Sequence, residues 1–200
     1  MAGRTVYLVR HAEAGDDGGL TAAGRRQAEA LADRLAGIGL AAVHHGPLPR
    51  AAQTARLVAA RLPGVPVYVD DAAGDYLPPV PDPAELPAPV ARLVESYTPA
   101  ERAEGAALAA AAVERFTGIA DSMSVDENIL VVTHSFLVAW FVRHALGAPE
   151  RGWLGLNAAN AGVTALRCLP GRGCRLLAFN DLGHLPDELR WTGFPAELRA

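Results

Sequence analysis

Short apolar runs alternate along this chain with longer segments of helical period. The run "TVYLV" (residues 5–9) is β-branched and bounded by arginine, which predicts a buried strand. After the Gly/Asp-rich "EAGDDGG", Thr21 can cap a helix over "AAGRRQAEALADRLAGIG". In it Ala28, Leu31 and Leu35 recur at helical spacing, and Gly37 and Gly39 end it. "AAVHH" is a short second strand. A second helix opens near Pro49 in "PLPRAAQTARLVAARLPG" and closes at Pro63-Gly64, with proline entering and glycine leaving. "VPVYV" (65–69) predicts a third strand.

Residues 70–90 break the pattern. "DDAAGDYLPPVPDPAELPAPV" is too dense in proline for a regular element and predicts a long loop with at most a broken helix. Thr98, Pro99 and Glu101 then form a capping box that starts a helix running to about Asp121. "NILVVT" (128–133) is a continuous apolar run, as found in central parallel strands. "HSFLVAWFVRHALG" follows as an apolar helix ending at Gly147, and "AGVTALRCL" and "RLLAFN" around "PGRG" predict a hairpin. The final stretch from Asn180 has no clear period. Alternating strands and helices predict an α/β three-layer sandwich, a mostly parallel sheet with an antiparallel edge, in one domain over 1–200.

Composition narrows the function. With half of its residues hydrophobic and 20% charged, the chain reads as a globular protein. A net charge of −4 gives no electrostatic footprint for nucleic acid. All the basic side chains are arginine, which excludes Schiff-base and P-loop lysine chemistry. Charges or prolines interrupt every apolar run before membrane-spanning length, so no membrane partner is expected. "VYLV" is too short for a signal-peptide core, and the expected location is cytoplasmic, with Cys168 and Cys174 as free thiols. No clustered carboxylate–histidine set has ligand spacing, so no metal and no cofactor is expected.

Ligands of open α/β sheets bind outside the carboxyl ends of the strands. His11 follows the first strand, Arg50 the second, Asp75 the third and His134 "NILVVT". "LVRHAEAG", "LTAAGRRQAEALADRL", "PLPRAAQTA", "VVTHS" and "NDLGHL" then occur in an order that resembles the histidine phosphatase, or phosphoglycerate mutase-like, superfamily. Ala12 stands where the family's Arg-His-Gly signature has glycine.

The resemblance implies that His11 attacks phosphorus and becomes a transient phosphohistidine. It implies that Arg10, Arg50 and His134 bind the phosphoryl oxygens, with the Ser135 amide at a helix start aiding them. The residue types suit that chemistry. A neutral imidazole is not repelled by a phosphomonoester dianion, and arginine meets phosphate oxygens with a planar fork. Positive neighbours are expected to keep His11 unprotonated.

Asp75 is the implied general acid, where many members carry Glu; Asp71 and Asp82 are the fallbacks. Asp must hold its proton at neutral pH, which predicts an acidic optimum or a preference for good leaving groups. Glu13, His144 and His184 read as structural or surface residues, and one of His44 and His45 lines the pocket at best. Tyr76, Leu77 and Val80 hint at a partly apolar substrate, with the proline-rich segment forming a pocket wall.

The chain lacks the Trp-Asn pair and longer substrate loop of the mutases. It therefore reads as a metal-independent, histidine acid phosphatase-like monoester hydrolase. Its substrate is expected to be a small phosphomonoester or a phosphoprotein. A mutase-type phosphotransferase and a non-catalytic binder of phosphorylated ligands are the alternatives.

Overall fold

The computed structural model describes residues 2–119 and 123–199. Six strands form one sheet: β1 (Arg4–Arg10), β2 (Ala42–His45), β3 (Val67–Val69), β4 (Glu127–Thr133), β5 (Val163–Leu169) and β6 (Gly173–Asp181). Their spatial order is β3-β2-β4-β1-β5-β6. The first four are parallel, and β5 runs antiparallel to both β1 and β6, so the antiparallel edge is the expected hairpin.

Strand alternation explains why the sheet is covered on both faces. Val6 and Leu8 of β1, with Ile129 and Val131 of β4, point to one side. There they pack beneath α4 (Pro99–Thr117) and α5 (Ser135–Leu146), through Ala109, Phe116, Leu137 and Phe141. Val9, Leu130 and Val132 point the other way, onto α1 (Ala22–Leu35) and α2 (Pro49–Ala59), where Leu31, Leu35, Ala55 and Val58 meet them. Each such fully buried aliphatic side chain stabilises the fold by about 1.5–3 kcal/mol relative to exposure. The result is the expected three-layer sandwich.

Local signals are realised closely at helix starts. The Thr21 hydroxyl accepts the Gly24 N–H and donates to Glu13, which fixes the entry of α1 and gives Glu13 its structural role. Gly24 is required there, because a Cβ would sit 2.0 Å from the Glu13 carbonyl oxygen. Thr98 and Glu101 form the expected capping box.

Three expectations need correction. The proline-rich segment carries 3₁₀ turns at 71–73 and 83–85, and the helix α3 (Ala88–Glu95) begins inside the stretch read as loop. Pro89 sits in the first turn of α3, where a missing N–H breaks no helical bond. The helix α4 ends at Thr117, while Asp121 lies outside the described residues. Cys168 and Cys174 are joined in a disulfide rather than free, because the β5–β6 register places them directly opposite.

Candidate active site

The carboxyl ends of β1 and β4 converge on His11. Its N–H donates to the Thr133 carbonyl at 2.8 Å, and its carbonyl accepts from the Asn160 side chain at 2.8 Å. The next amide, Ala12 N–H, donates to the Thr54 hydroxyl at 3.0 Å, and that hydroxyl donates to the Arg50 carbonyl at 2.8 Å. The loop carrying His11 is therefore tied to the neighbouring strand, to α2 and to the residues before β5.

The imidazole is oriented as firmly as its backbone. His11 Nδ1 lies 2.8 Å from the Ala12 carbonyl, which can only accept, so Nδ1 carries the proton. Nε2 then presents a lone pair, which accepts from the Arg50 Nε–H at 3.2 Å. Burial, opposed by the Ala12 hydrogen bond, pushes the His11 imidazolium down to about 3; His134, Arg10 and Arg50 add to the effect. The expected neutral state holds, but desolvation exceeds the charged neighbours as its cause.

His134 precedes α5 and packs its ring 5.0 Å from that of His11. Burial, then Arg50 and Arg10, push it also to about 3. Among the described residues neither of its buried ring nitrogens has a hydrogen-bond partner. A buried polar ring without partners suits a group that meets a ligand. The Ser135 N–H heads α5, where a helix leaves its first amides unsatisfied, while the Ser135 hydroxyl is turned aside onto Asn157.

Arg10 ends β1 and spends one terminal nitrogen on two carbonyls, Ala158 and Gly193, each at 2.7 Å. Among the described residues its buried Nε has no hydrogen-bond partner. Arg50, in the first turn of α2, bridges His11 and Asp75, donating to the Asp75 carboxylate at 2.7 Å. Asp75 Oδ2 also lies 3.4 Å from His134 Nδ1. Thr133 steadies the loop of Asp75 from β4 by donating to the Ala73 carbonyl at 2.8 Å.

Arg10, His11, Asp75, His134 and Ser135 thus line one pocket of about 230 Å³, completed by Leu93, Tyr97 and Phe136. Arg50 is not among the lining residues but contacts two of them, His11 and Asp75. Neither Asp71 nor Asp82 lines it; Asp82 instead caps the second 3₁₀ turn. Tyr76 and Leu77 are not pocket residues, since both are buried in the core, and Val80 faces a separate proline-lined groove. The apolar pocket wall comes instead from Leu93 of α3, from Tyr97 just after it and from Phe136. His44 packs between Tyr68 and Phe116, and His45 donates to the Gly46 carbonyl, so neither reaches the pocket.

Thr54, Gln27, Asn160, Thr192 and Gly193 support the site and were not singled out from sequence. Thr54 and Gln27 lie inside the quoted motifs "PLPRAAQTA" and "LTAAGRRQAEALADRL", and that was their only signal.

An unprotonated imidazole nitrogen facing one guanidinium, with a second arginine in the same pocket at the carboxyl edge of a parallel sheet, is the arrangement of a protein class that receives an anionic group. The chain belongs to the histidine phosphatase superfamily (branch 1), whose family model matches residues 6–76 and 81–182. It is 30% identical over 200 residues to the mitochondrial serine/threonine-protein phosphatase PGAM5 of Rattus norvegicus, covering 94% of this chain. The chain spans 66% of that relative, just under two thirds of its length.

Among solved structures, Bacillus stearothermophilus YhfR shares the fold with a TM-score of 0.68 and 23% identity, covering 90% of this chain and 98% of its own. A phosphoglycerate mutase from Plasmodium falciparum superposes with a TM-score of 0.63 and 22% identity, over 94% of this chain and 96% of its own. The cytoplasmic expectation does not stand, because curated relatives from rat, mouse, human and Caenorhabditis briggsae are named as mitochondrial. Among the described residues no helix is long and apolar enough to cross a membrane.

Proposed function

We propose that the protein is a metal-independent phosphoric monoester hydrolase working through a phosphohistidine on His11 Nε2. The observation that carries this reading is the His11 ring itself: Nδ1 is held by the Ala12 carbonyl, and Nε2 is unprotonated and accepts from Arg50. The Nε2 lone pair attacks phosphorus as the bond to the ester oxygen breaks. Asp75, carrying a proton, gives it to the leaving alkoxide. Water then attacks the phosphohistidine, Asp75 takes the proton, and phosphate leaves with His11 neutral again. Arg10, Arg50, His134 and the Ser135 N–H gather the charge on the equatorial oxygens, and Arg50 exchanges the His11 lone pair for a phosphoryl oxygen.

Hydrolysis is favoured over mutase chemistry by the charge of the pocket. A second pocket of about 450 Å³ adjoins the first, sharing Arg10, Ser135 and Phe136, and is lined further by Leu154, Leu156, Asn157 and Leu198. Among the described residues lining the two, Arg10 is the one cation. With Arg50 against His11 and paired to Asp75, that matches one phosphoryl group and leaves no counter-charge for a second anionic group on the substrate. The side chains of Leu154, Leu156 and Leu198 in the second pocket, and similarity to a named serine/threonine-protein phosphatase, support a phosphoprotein or another ester with a largely uncharged leaving group.

The test is p-nitrophenyl phosphate hydrolysis in EDTA from about pH 4 to 9, wild type against His11→Ala, with denaturation of the wild type during turnover to trap phosphohistidine. Turnover confined to the wild type, with acid-labile phosphate on the protein, is expected. Equal turnover in the two proteins overturns the assignment. Binding of phosphate without turnover in the wild type would favour a non-catalytic binder.

A further inference from the structure

The C-terminal stretch that showed no sequence period packs against the back of the active site. Gln27, fully buried in α1, accepts the Glu13 N–H at 2.8 Å and donates to the Leu189 carbonyl at 2.8 Å and the Thr192 hydroxyl at 2.7 Å. Thr192 donates to the Asn160 side-chain oxygen at 3.3 Å, and its carbonyl accepts the Asn160 N–H at 3.0 Å. The Asn160 amide then donates to the His11 carbonyl. One residue on, the Gly193 carbonyl accepts from Arg10.

Backbone conformation marks the same region. Outside glycine, positive φ occurs among the described residues at Ala161, Asn180 and Trp191, at 56°, 52° and 63°. Ala161 and Trp191 each sit beside a member of the Thr192–Asn160 pair, and Asn180 accepts the Ala159 N–H at 2.8 Å. Gly193 has φ of +68°, and a Cβ there would lie 2.3 Å from Asn160 Oδ1 and 2.9 Å from Arg10 Cζ. The other positive-φ glycines of the described residues have nothing within 4 Å of such an atom. A side chain at Gly193 would therefore displace the two groups that hold the site's clamp and nucleophile loop.

We propose that the segment Trp191–Gly193 is a positioning element of the active site. It fixes the Arg10 guanidinium through Gly193, and the His11 backbone through Thr192 and Asn160, while contributing no group to the reaction. The proposal rests on the reading of this pocket as a phosphate site.

Inorganic phosphate affinity by calorimetry and p-nitrophenyl phosphate kinetics test it in wild type, Gly193→Ala and Gly171→Ala. Gly171 has φ of +65° and nothing within 4 Å of a Cβ, so its variant carries the same backbone strain without the contacts. Gly193→Ala is expected to weaken phosphate binding and lower kcat, each by about tenfold or more, with Gly171→Ala at wild-type values. Thr192→Val is expected to lose kcat and Thr192→Ser to recover it, which keeps the proposal testable should Gly193→Ala fail to fold. Gly193→Ala and Thr192→Val both matching Gly171→Ala in phosphate affinity and kcat would overturn the positioning role alone. A wild type that binds no phosphate would overturn the reading of the pocket, and the proposal with it.

Discussion

The Arg50 Nε–H donates to His11 Nε2 at 3.2 Å. This bond can form only if the imidazole is unprotonated there, so the arginine and the tautomer specify each other. In the proposed mechanism a guanidinium in that place also marks where a phosphoryl oxygen would sit, within reach of both His11 and Asp75. The relationship depends on a planar side chain whose Nε and Nη donors serve His11 and Asp75 together.

Replacing Arg50 with lysine should therefore fail to preserve function. A point charge cannot hold both contacts, and kcat/KM for p-nitrophenyl phosphate is expected to fall by about 10²–10³-fold. Arg50→Lys with activity within a few-fold of wild type would show that charge alone suffices.

In the proposed mechanism Asp75→Asn removes the proton donor while retaining the shape. The loss in kcat should grow as the leaving group worsens, being small for p-nitrophenyl phosphate and large for an alkyl phosphate. A Brønsted plot over substituted aryl phosphates measures this directly. Parallel lines for wild type and variant would remove Asp75 from the acid role and reopen the choice.

Stability should depend on pH through the two buried histidines. Their folded values of about 3 lie below the ordinary 6.5, so between these limits the unfolded chain binds more protons. Stability contributed in this way is present above 6.5 and is lost as pH falls towards 3. Urea midpoints across that range should decline for wild type and decline less for His11→Ala/His134→Ala. Equal slopes would assign the acid sensitivity to other groups.

Thr54→Val tests the tie between α2 and the His11 loop. The substitution is nearly isosteric and leaves the buried Ala12 N–H without its acceptor. We predict a loss of about 1–3 kcal/mol in denaturant titration, with Thr54→Ser close to wild type.

Much of the architecture was legible from residue order because it rests on local rules. "NILVVT" is apolar at every second position on both faces, which is what a strand covered by helices on each side requires. Thr21, Pro49 and Thr98 start helices through hydrogen bonds or ring geometry reaching only a few residues. His11, Arg50, Asp75 and His134 could be named because parallel strands deliver their following loops to one edge. The helix at 88–95 was missed because prolines that break a helix interior are harmless in its first turn.

What the sequence by itself determined is the alternation of elements, the polar residues at the strand ends and the family motifs, all of which follow from short-range periodicity and spacing. Only the tertiary structure decided that Cys168 meets Cys174 and that Leu93 and Tyr97, rather than Tyr76 and Leu77, face the pocket. It alone showed that Thr192 and Gly193 stand behind residues 10 and 11. Those pairings join positions as far as 183 residues apart. Except for Cys168–Cys174, which spans the predicted hairpin, they arise from layer packing that the whole chain sets and no local pattern encodes.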